Sequence, residues 1–184
     1  MVLALWTSLV IAATPPPTEG PLVPWYVPRS LELGVFINDP MVTPHFRIAW
    51  EASIISQPRN DLIWTVALGS GVGANPQRPM SAHYQHAVVA GLGYRSDRQV
   101  LHWGFHAAAG VVWYRAAYLP GSIYPFESRV LGYIEGRVQL GLRLTPWLKG
   151  AVYFGYASPF VFQRQYPGNT FVGGIDTGVV FDWR

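Results

Sequence analysis

The chain has 184 residues, enough for one domain, a net charge of +3 at pH 7 and no cysteine. Only 12% of the residues are charged, half are hydrophobic and 15% are aromatic, a composition poorly suited to a soluble surface. The lack of cysteine excludes disulfides, thiolate nucleophiles and zinc–cysteine sites, and the scattered arginines argue against nucleic-acid binding.

The first 28 residues carry two segments that differ from the rest of the chain. Residues 2–13 form an apolar stretch that ends in small residues and is too short for a transmembrane helix, which needs about 20 residues. We therefore predict a signal peptide over residues 1–13, with a buried edge strand as the alternative. Six prolines follow in residues 14–28 and predict an extended linker.

From residue 29 to residue 184 the chain alternates between segments of period two and short gaps rich in Gly and Pro. In the second segment, for example, Phe46, Ile48 and Trp50 alternate with more polar residues. The segments are residues 31–38, 45–54, 62–69, 84–94, 102–114, 130–143, 148–156 and 171–183. Eight such segments predict an all-β, eight-stranded antiparallel up-and-down barrel over residues 29–184.

The connections between these segments alternate in length. Residues 56–60, 95–99 and 145–146 are predicted as short turns, and residues 39–44 as a short connection at the other end. The remaining connections at that end, residues 73–82, 117–127 and 159–169, are predicted as long loops rich in Pro, Gly and Tyr. Short turns at one end and long loops at the other are typical of transmembrane barrels.

Alternation alone does not tell which face looks inward, but the chemistry of the two faces does. One face is apolar and carries aromatic residues near strand ends, as in the interfacial girdles of membrane barrels. The other face is mostly Gly and Ala with a few charges, which suits a crowded lumen. The predicted girdle consists of Trp64, Tyr84, Tyr94, Trp103, Trp113, Tyr156 and Trp183.

The charges on the second face are predicted to form a network in the lumen, because a buried charge needs a partner. This set is Glu32, Arg47, Glu51, Glu135, Arg137, Arg143, Lys149, Asp176 and Asp182. Counting along each strand predicts Glu51, Glu135, Arg137 and Asp176 near mid-height. The same count places four others nearer the end of the barrel that carries the short turns: Glu32, Arg143, Lys149 and Asp182.

The chain resembles the small eight-stranded outer-membrane barrels, such as the transmembrane domain of outer membrane protein A and the opacity-type surface proteins. At its C-terminus, Ile175, Val179, Phe181 and Trp183 are similar to the signal that the barrel-assembly machinery reads. The resemblance implies insertion into the outer membrane of a Gram-negative bacterium, among lipid and lipopolysaccharide. It also implies a filled interior and roles that range from adhesion to envelope integrity.

Several functions are compatible with this architecture. We expect a structural, envelope-integrity or surface-interaction role without catalysis or cofactor, in which the loops 73–82, 117–127 and 159–169 contact a protein partner or only pack over the barrel mouth. The first alternative is a narrow, porin-like channel gated around Arg137.

A lipid-modifying enzyme is the second alternative, and the histidines bear on it. Ser81, His83 and His86 lie near one loop and His45 near another, without a recognised hydrolase spacing. His102 and His106 share a face but lie about 13 Å apart along a strand, too far to chelate one metal ion. The sequence therefore predicts neither a catalytic nor a metal site.

Overall fold

The computed structural model describes residues 24, 26–38, 41–57, 59–75, 78–98, 100–117, 126–160 and 172–183. They form eight strands: β1 (Ser30–Asn38), β2 (Met41–Gln57), β3 (Asn60–Asn75), β4 (Arg78–Arg98), β5 (Leu101–Ala117), β6 (Phe126–Arg143), β7 (Leu148–Pro159) and β8 (Gly174–Trp183). None of the described residues form a helix long and apolar enough to cross a membrane. The predicted signal peptide, residues 1–13, and most of the predicted linker lie outside the described residues.

Each strand pairs antiparallel with the next one in the chain, and β8 pairs with β1 to close the barrel. The prediction of an all-β, eight-stranded antiparallel up-and-down barrel is confirmed. Because the connections alternate between the two ends, β2–β3, β4–β5 and β6–β7 turn at one end, which we call the short-turn end. The opposite end, where β5–β6 and β7–β8 connect, is called the long-loop end.

The side chains alternate between the lumen and the outer surface along every strand, as strand geometry requires. Val88 and Ile134 point outward and are 49% and 40% exposed, and Trp50 is half-buried at the outer wall. The inward positions hold small residues, charges, histidines, tyrosines and several larger apolar side chains. The apolar face therefore surrounds the barrel and the charged face is enclosed.

The strands run further than the sequence analysis predicted. Most of residues 73–82, predicted as a loop, belong to β3 and β4, which leaves residues 76–77 as the connection. The backbone ladder continues here because Gly and Ala pair as well as larger residues do, although they weaken the alternation that marks a strand. At the long-loop end, residues 118–125 and 161–171 lie outside the described residues.

The last strand begins later than predicted, at Gly174 instead of residue 171. Gly173 and Gly174 have φ angles of 88° and 104°, which only glycine adopts without strain. This pair of glycines turns the chain into β8.

An apolar cluster fills the lumen toward the long-loop end. It brings aromatic rings from several strands together with aliphatic side chains, and all of its members are buried. Its larger members are Phe36, Val89, Val112, Tyr114, Leu131, Tyr133 and Val172. The charged residues therefore occupy the middle of the lumen and its short-turn end.

Candidate functional site: the charged lumen

All nine charges predicted for the lumen point inward. Glu51, Arg137 and Arg143 are half-buried. The other six are buried, with at most 7% of their surface exposed: Glu32, Arg47, Glu135, Lys149, Asp176 and Asp182. Charges buried to this degree are stable only when paired, and the structure divides them into three groups.

The central group is a quartet of two acids and two arginines. Arg47 donates from Nη1 and Nη2 to the carboxylate of Glu135, at 2.6 and 2.7 Å. Arg137 donates in the same way to Glu32, with Nη2 2.7 Å from Oε1. The charge-assisted hydrogen bonds of such bidentate pairs are about twice as strong as neutral ones, and they fix the orientation of the guanidinium plane relative to the carboxylate plane.

This quartet crosses the lumen. Glu32 lies on β1 and Arg47 on β2, whereas Glu135 and Arg137 both lie on β6. Arg47 Nη1 also lies 3.8 Å from Glu32 Oε2, so the two pairs are in electrostatic contact with each other. The quartet therefore ties opposite walls together and obstructs the lumen.

A second group adjoins the quartet on its long-loop side. The Tyr153 hydroxyl donates to Asp176 Oδ1 at 3.2 Å and lies 3.2 Å from His45 Nε2. The His45 ring stacks on Phe36 with centroids 4.2 Å apart. The Arg137 guanidinium lies 5.4 Å from the centre of the Tyr153 ring, which links this group to the quartet by a cation–π contact.

The third group lies at the short-turn end, where Arg95 faces three carboxylates. Its guanidinium lies 3.2 Å from Glu51, 3.8 Å from Asp182 and 4.0 Å from Asp61. Beside it, Asp97 accepts from Lys149 and, at 3.2 Å, from Arg143 Nη2. In the sequence-based prediction, Arg95 and Asp97 lie in the short turn 95–99, and Asp61 lies between the turn 56–60 and the segment 62–69.

Two features of this arrangement differ from the sequence analysis. Continuing the alternation beyond Gly93 places Arg95 and Asp97 on the inward face, a signal that the shorter predicted strands cut off. Glu51 belongs to the short-turn group and Glu32 to the central quartet, the reverse of the predicted heights. Counting along strands fails here because barrel strands are tilted and staggered.

The histidines divide between the two faces. His83 hydrogen-bonds Thr43 at 2.9 Å and His106 hydrogen-bonds Thr65 at 2.5 Å, both inside the lumen. His102 is buried as well, whereas His86 points outward. The side chain of Ser81 lies outside the described residues. Within the described part of the chain, no group of three or more His, Asp or Glu side chains is placed to hold a metal ion.

The seven residues predicted as a girdle lie on the outer wall, and six of them form two bands. Toward the long-loop end are Tyr84 and Trp113, and toward the short-turn end are Trp64, Tyr94, Trp103 and Trp183. Tyr156 pairs with Gly136 and lies between the two bands. Five of the seven are between 41% and 62% exposed. Their rings also contact neighbours along the wall, as in the pair Tyr94 and Trp103, whose centroids are 5.5 Å apart.

Comparisons with known proteins give no relative from which a role could be transferred. No family model matches the chain, and neither a curated protein nor a solved structure matches it. Arguments about function therefore rest on the chemistry of the two faces of the barrel.

Proposed function

We propose that the chain is an integral outer-membrane β-barrel with a structural, envelope-integrity or surface-interaction role and a lumen filled by side chains. The observation that carries this proposal is the polarity of the wall. Large apolar side chains cover the outside, among them Val138, Val152 and Phe154 at 57–60% exposure, while the charges are inside. A soluble barrel has the opposite polarity.

The extent of the apolar surface supports a lipid environment. Exposed Val, Leu, Ile, Phe, Trp and Tyr side chains occur on all eight strands. The largest apolar patch on a soluble monomer covers about 300–600 Å², whereas this surface surrounds the whole barrel. A closed barrel also pairs every strand with two neighbours, as hydrocarbon requires.

The resemblance to the small outer-membrane barrels fits this arrangement. Two bands of aromatic side chains border the apolar surface, as expected where a protein crosses both interfaces. In this proposal lipid and lipopolysaccharide surround the wall, the barrel-assembly machinery inserts the chain, and a signal peptide exports it. A protein partner would bind at the long-loop end, through the predicted loops 117–127 and 159–169 and the shorter connection within residues 73–82.

Gel mobility tests the proposal. Purified chain folded in detergent should migrate differently before and after boiling, and membranes should release it only with detergent, not with carbonate or high salt. A product that remains monomeric in water without detergent, or whose mobility does not change on boiling, would refute it.

A narrow channel is a second candidate, favoured by one contact. Arg47 Nη1 bonds Glu135 but lies only 3.8 Å from Glu32, so a small shift exchanges partners within the quartet. If such an exchange opens the lumen, Arg137→Ala will raise the conductance in planar bilayers. An unchanged conductance of the Arg137→Ala protein would exclude a gate at Arg137.

We also propose that the chain is not an enzyme. Ser70 Oγ and His86 Nδ1 lie 3.0 Å apart on the outer wall. However, β3 pairs at Ser70 with Phe46 on one side and His86 on the other, so the backbone offers no free N–H groups for an oxyanion. Lipid A mass spectra from cells with and without the chain should be identical, and a changed acyl pattern would contradict this.

A further inference from the structure

A cavity of about 810 Å³ opens at the short-turn end of the barrel. Its volume lies in the range of about 300–1,000 Å³ that is usual for small-molecule sites. The third charge group lines it through Glu51, Arg95, Lys149 and Asp182. Four indoles complete the wall: Trp50, Trp64, Trp147 and Trp183.

The cavity lies beside the start of β1, where the Arg29 N–H donates to the Ala49 carbonyl and the Trp50 indole donates to the Tyr26 carbonyl. Among the described residues, Ser30 is the first of β1 to pair with β2, opposite Ala49, and residues 50–53 and 55–57 of β2 pair with β3 alone. The lining includes Glu51, which points inward, and Trp64, which points outward. The cavity therefore connects the charged lumen with the apolar outer wall, a shape that suits a molecule with a charged head and an apolar body.

The charges that line the cavity form an acidic part and a basic part. In the acidic part, Glu51, Asp61 and Asp182 share the guanidinium of Arg95. The basic part includes Lys149, which also contacts Asp97; Asp97 and its second partner Arg143 do not line the cavity. A head group that carries both a positive and a negative charge matches this division better than a singly charged group does.

Asp182 shows which positive group the site needs. It is 7% exposed, and its Oδ2 accepts no hydrogen bond from the described residues. Arg95 Nη1 is 3.8 Å away, beyond hydrogen-bond distance. A buried carboxylate oxygen without a donor is costly. An ammonium with N–H groups would satisfy Asp182, whereas a quaternary ammonium offers charge but no donor.

We propose that this cavity binds the head group of a phospholipid that carries a primary amine and a phosphate. The ammonium lies between Asp182 and Glu51, and the phosphate lies on the side of Lys149. The indoles contact the glycerol and the first methylenes of the acyl chains, as tryptophans do at membrane interfaces. This inference rests on the membrane location proposed above.

Native mass spectrometry on the full chain in detergent tests the proposal. The protein is mixed with equal amounts of phosphatidylethanolamine, phosphatidylcholine and phosphatidylglycerol, which differ in N–H donors and in net charge. We expect about tenfold preferential retention of phosphatidylethanolamine. Asp182→Asn should reduce that retention to the level of phosphatidylcholine. Asp176→Asn, a matched change of a lumen acid that does not line the cavity, should leave it unchanged.

Competition with soluble phosphoethanolamine distinguishes a site for the head group alone from a site for the whole lipid. Displacement of the lipid by it assigns the site to the head group alone, and resistance assigns it to the whole lipid; both results support the proposal. Equal retention of the three lipids, or equal retention by the protein with Asp182→Asn, overturns it. Glu51→Gln replaces Asp182→Asn if the latter does not fold. A heat-modifiable chain without lipid selectivity refutes this inference alone, since the proposed membrane location would stand.

Discussion

Glu32 and Arg47 lie directly opposite each other on β1 and β2, yet each makes its bidentate contact with a residue of β6. A local pair between neighbouring strands would have satisfied both charges. In the observed pairing, two strong contacts join opposite walls of the barrel instead. The quartet therefore resists changes in the cross-section of the barrel.

Breaking one pair of the quartet should destabilise the barrel strongly. Glu135→Gln leaves the Arg47 guanidinium buried without its carboxylate, and we expect a loss of about 3–5 kcal/mol in the free energy of unfolding. Urea titration in detergent micelles measures it. The double change Arg47→Met with Glu135→Leu removes both charges and should cost less than the single change. A single change without effect would show that the pair is not desolvated.

The outer wall allows a test of depth in the membrane. Ile134 lies between the two aromatic bands, and Val130 pairs with Trp113 in one of them. Ile134→Arg should cost about 2–4 kcal/mol in a bilayer, whereas Val130→Arg on the same face of β6 should cost about 0–1 kcal/mol. Refolding titrations into vesicles measure both. Equal costs would contradict a membrane whose midplane lies near Ile134.

The tyrosine beside the quartet should contribute through its hydroxyl. Tyr153→Phe removes the donor to Asp176 Oδ1 and should destabilise the barrel by about 1–3 kcal/mol, seen as a lower urea midpoint with an unchanged slope. Tyr156→Phe is the matched control, because Tyr156 lies on the same strand but is 62% exposed on the outer wall. It should change stability by less than about 0.5 kcal/mol, and equal effects of the two changes would refute the role of the hydroxyl.

The sequence predicted the strands and their faces because period two is a local signal that each segment carries by itself. It failed where this signal is weak, as in residues 73–82, where Gly73, Pro76 and Pro79 interrupt the alternation. It also could not predict that Arg137 pairs with Glu32, a residue 105 positions away. That choice depends on strand stagger and on the diameter of the barrel, which no single segment encodes.

Glycines on the inward face make room for the lumen residues, and Gly34 shows this most clearly. A Cβ at Gly34 would overlap the Tyr153 hydroxyl and lie 2.9 Å from His45 Cε1. We expect Gly34→Ala to cost about 1–3 kcal/mol, because the crowded side chains must leave their rotamers. Gly136→Ala is the control: a Cβ there meets no atom within 4 Å, and the change should be nearly neutral.

The same position provides a test of coupling. In the background of Tyr153→Phe the hydroxyl is already absent, so Gly34→Ala should cost less there than in the parent chain. The difference should amount to about 0.5–3 kcal/mol of interaction energy in a double-mutant cycle, read from urea titrations of all four proteins. Rescue should be incomplete, since the new methyl group would still lie 2.9 Å from the carbonyl oxygen of Thr177. Strict additivity of the two changes would mean that Tyr153 does not occupy the space above Gly34 in the folded barrel.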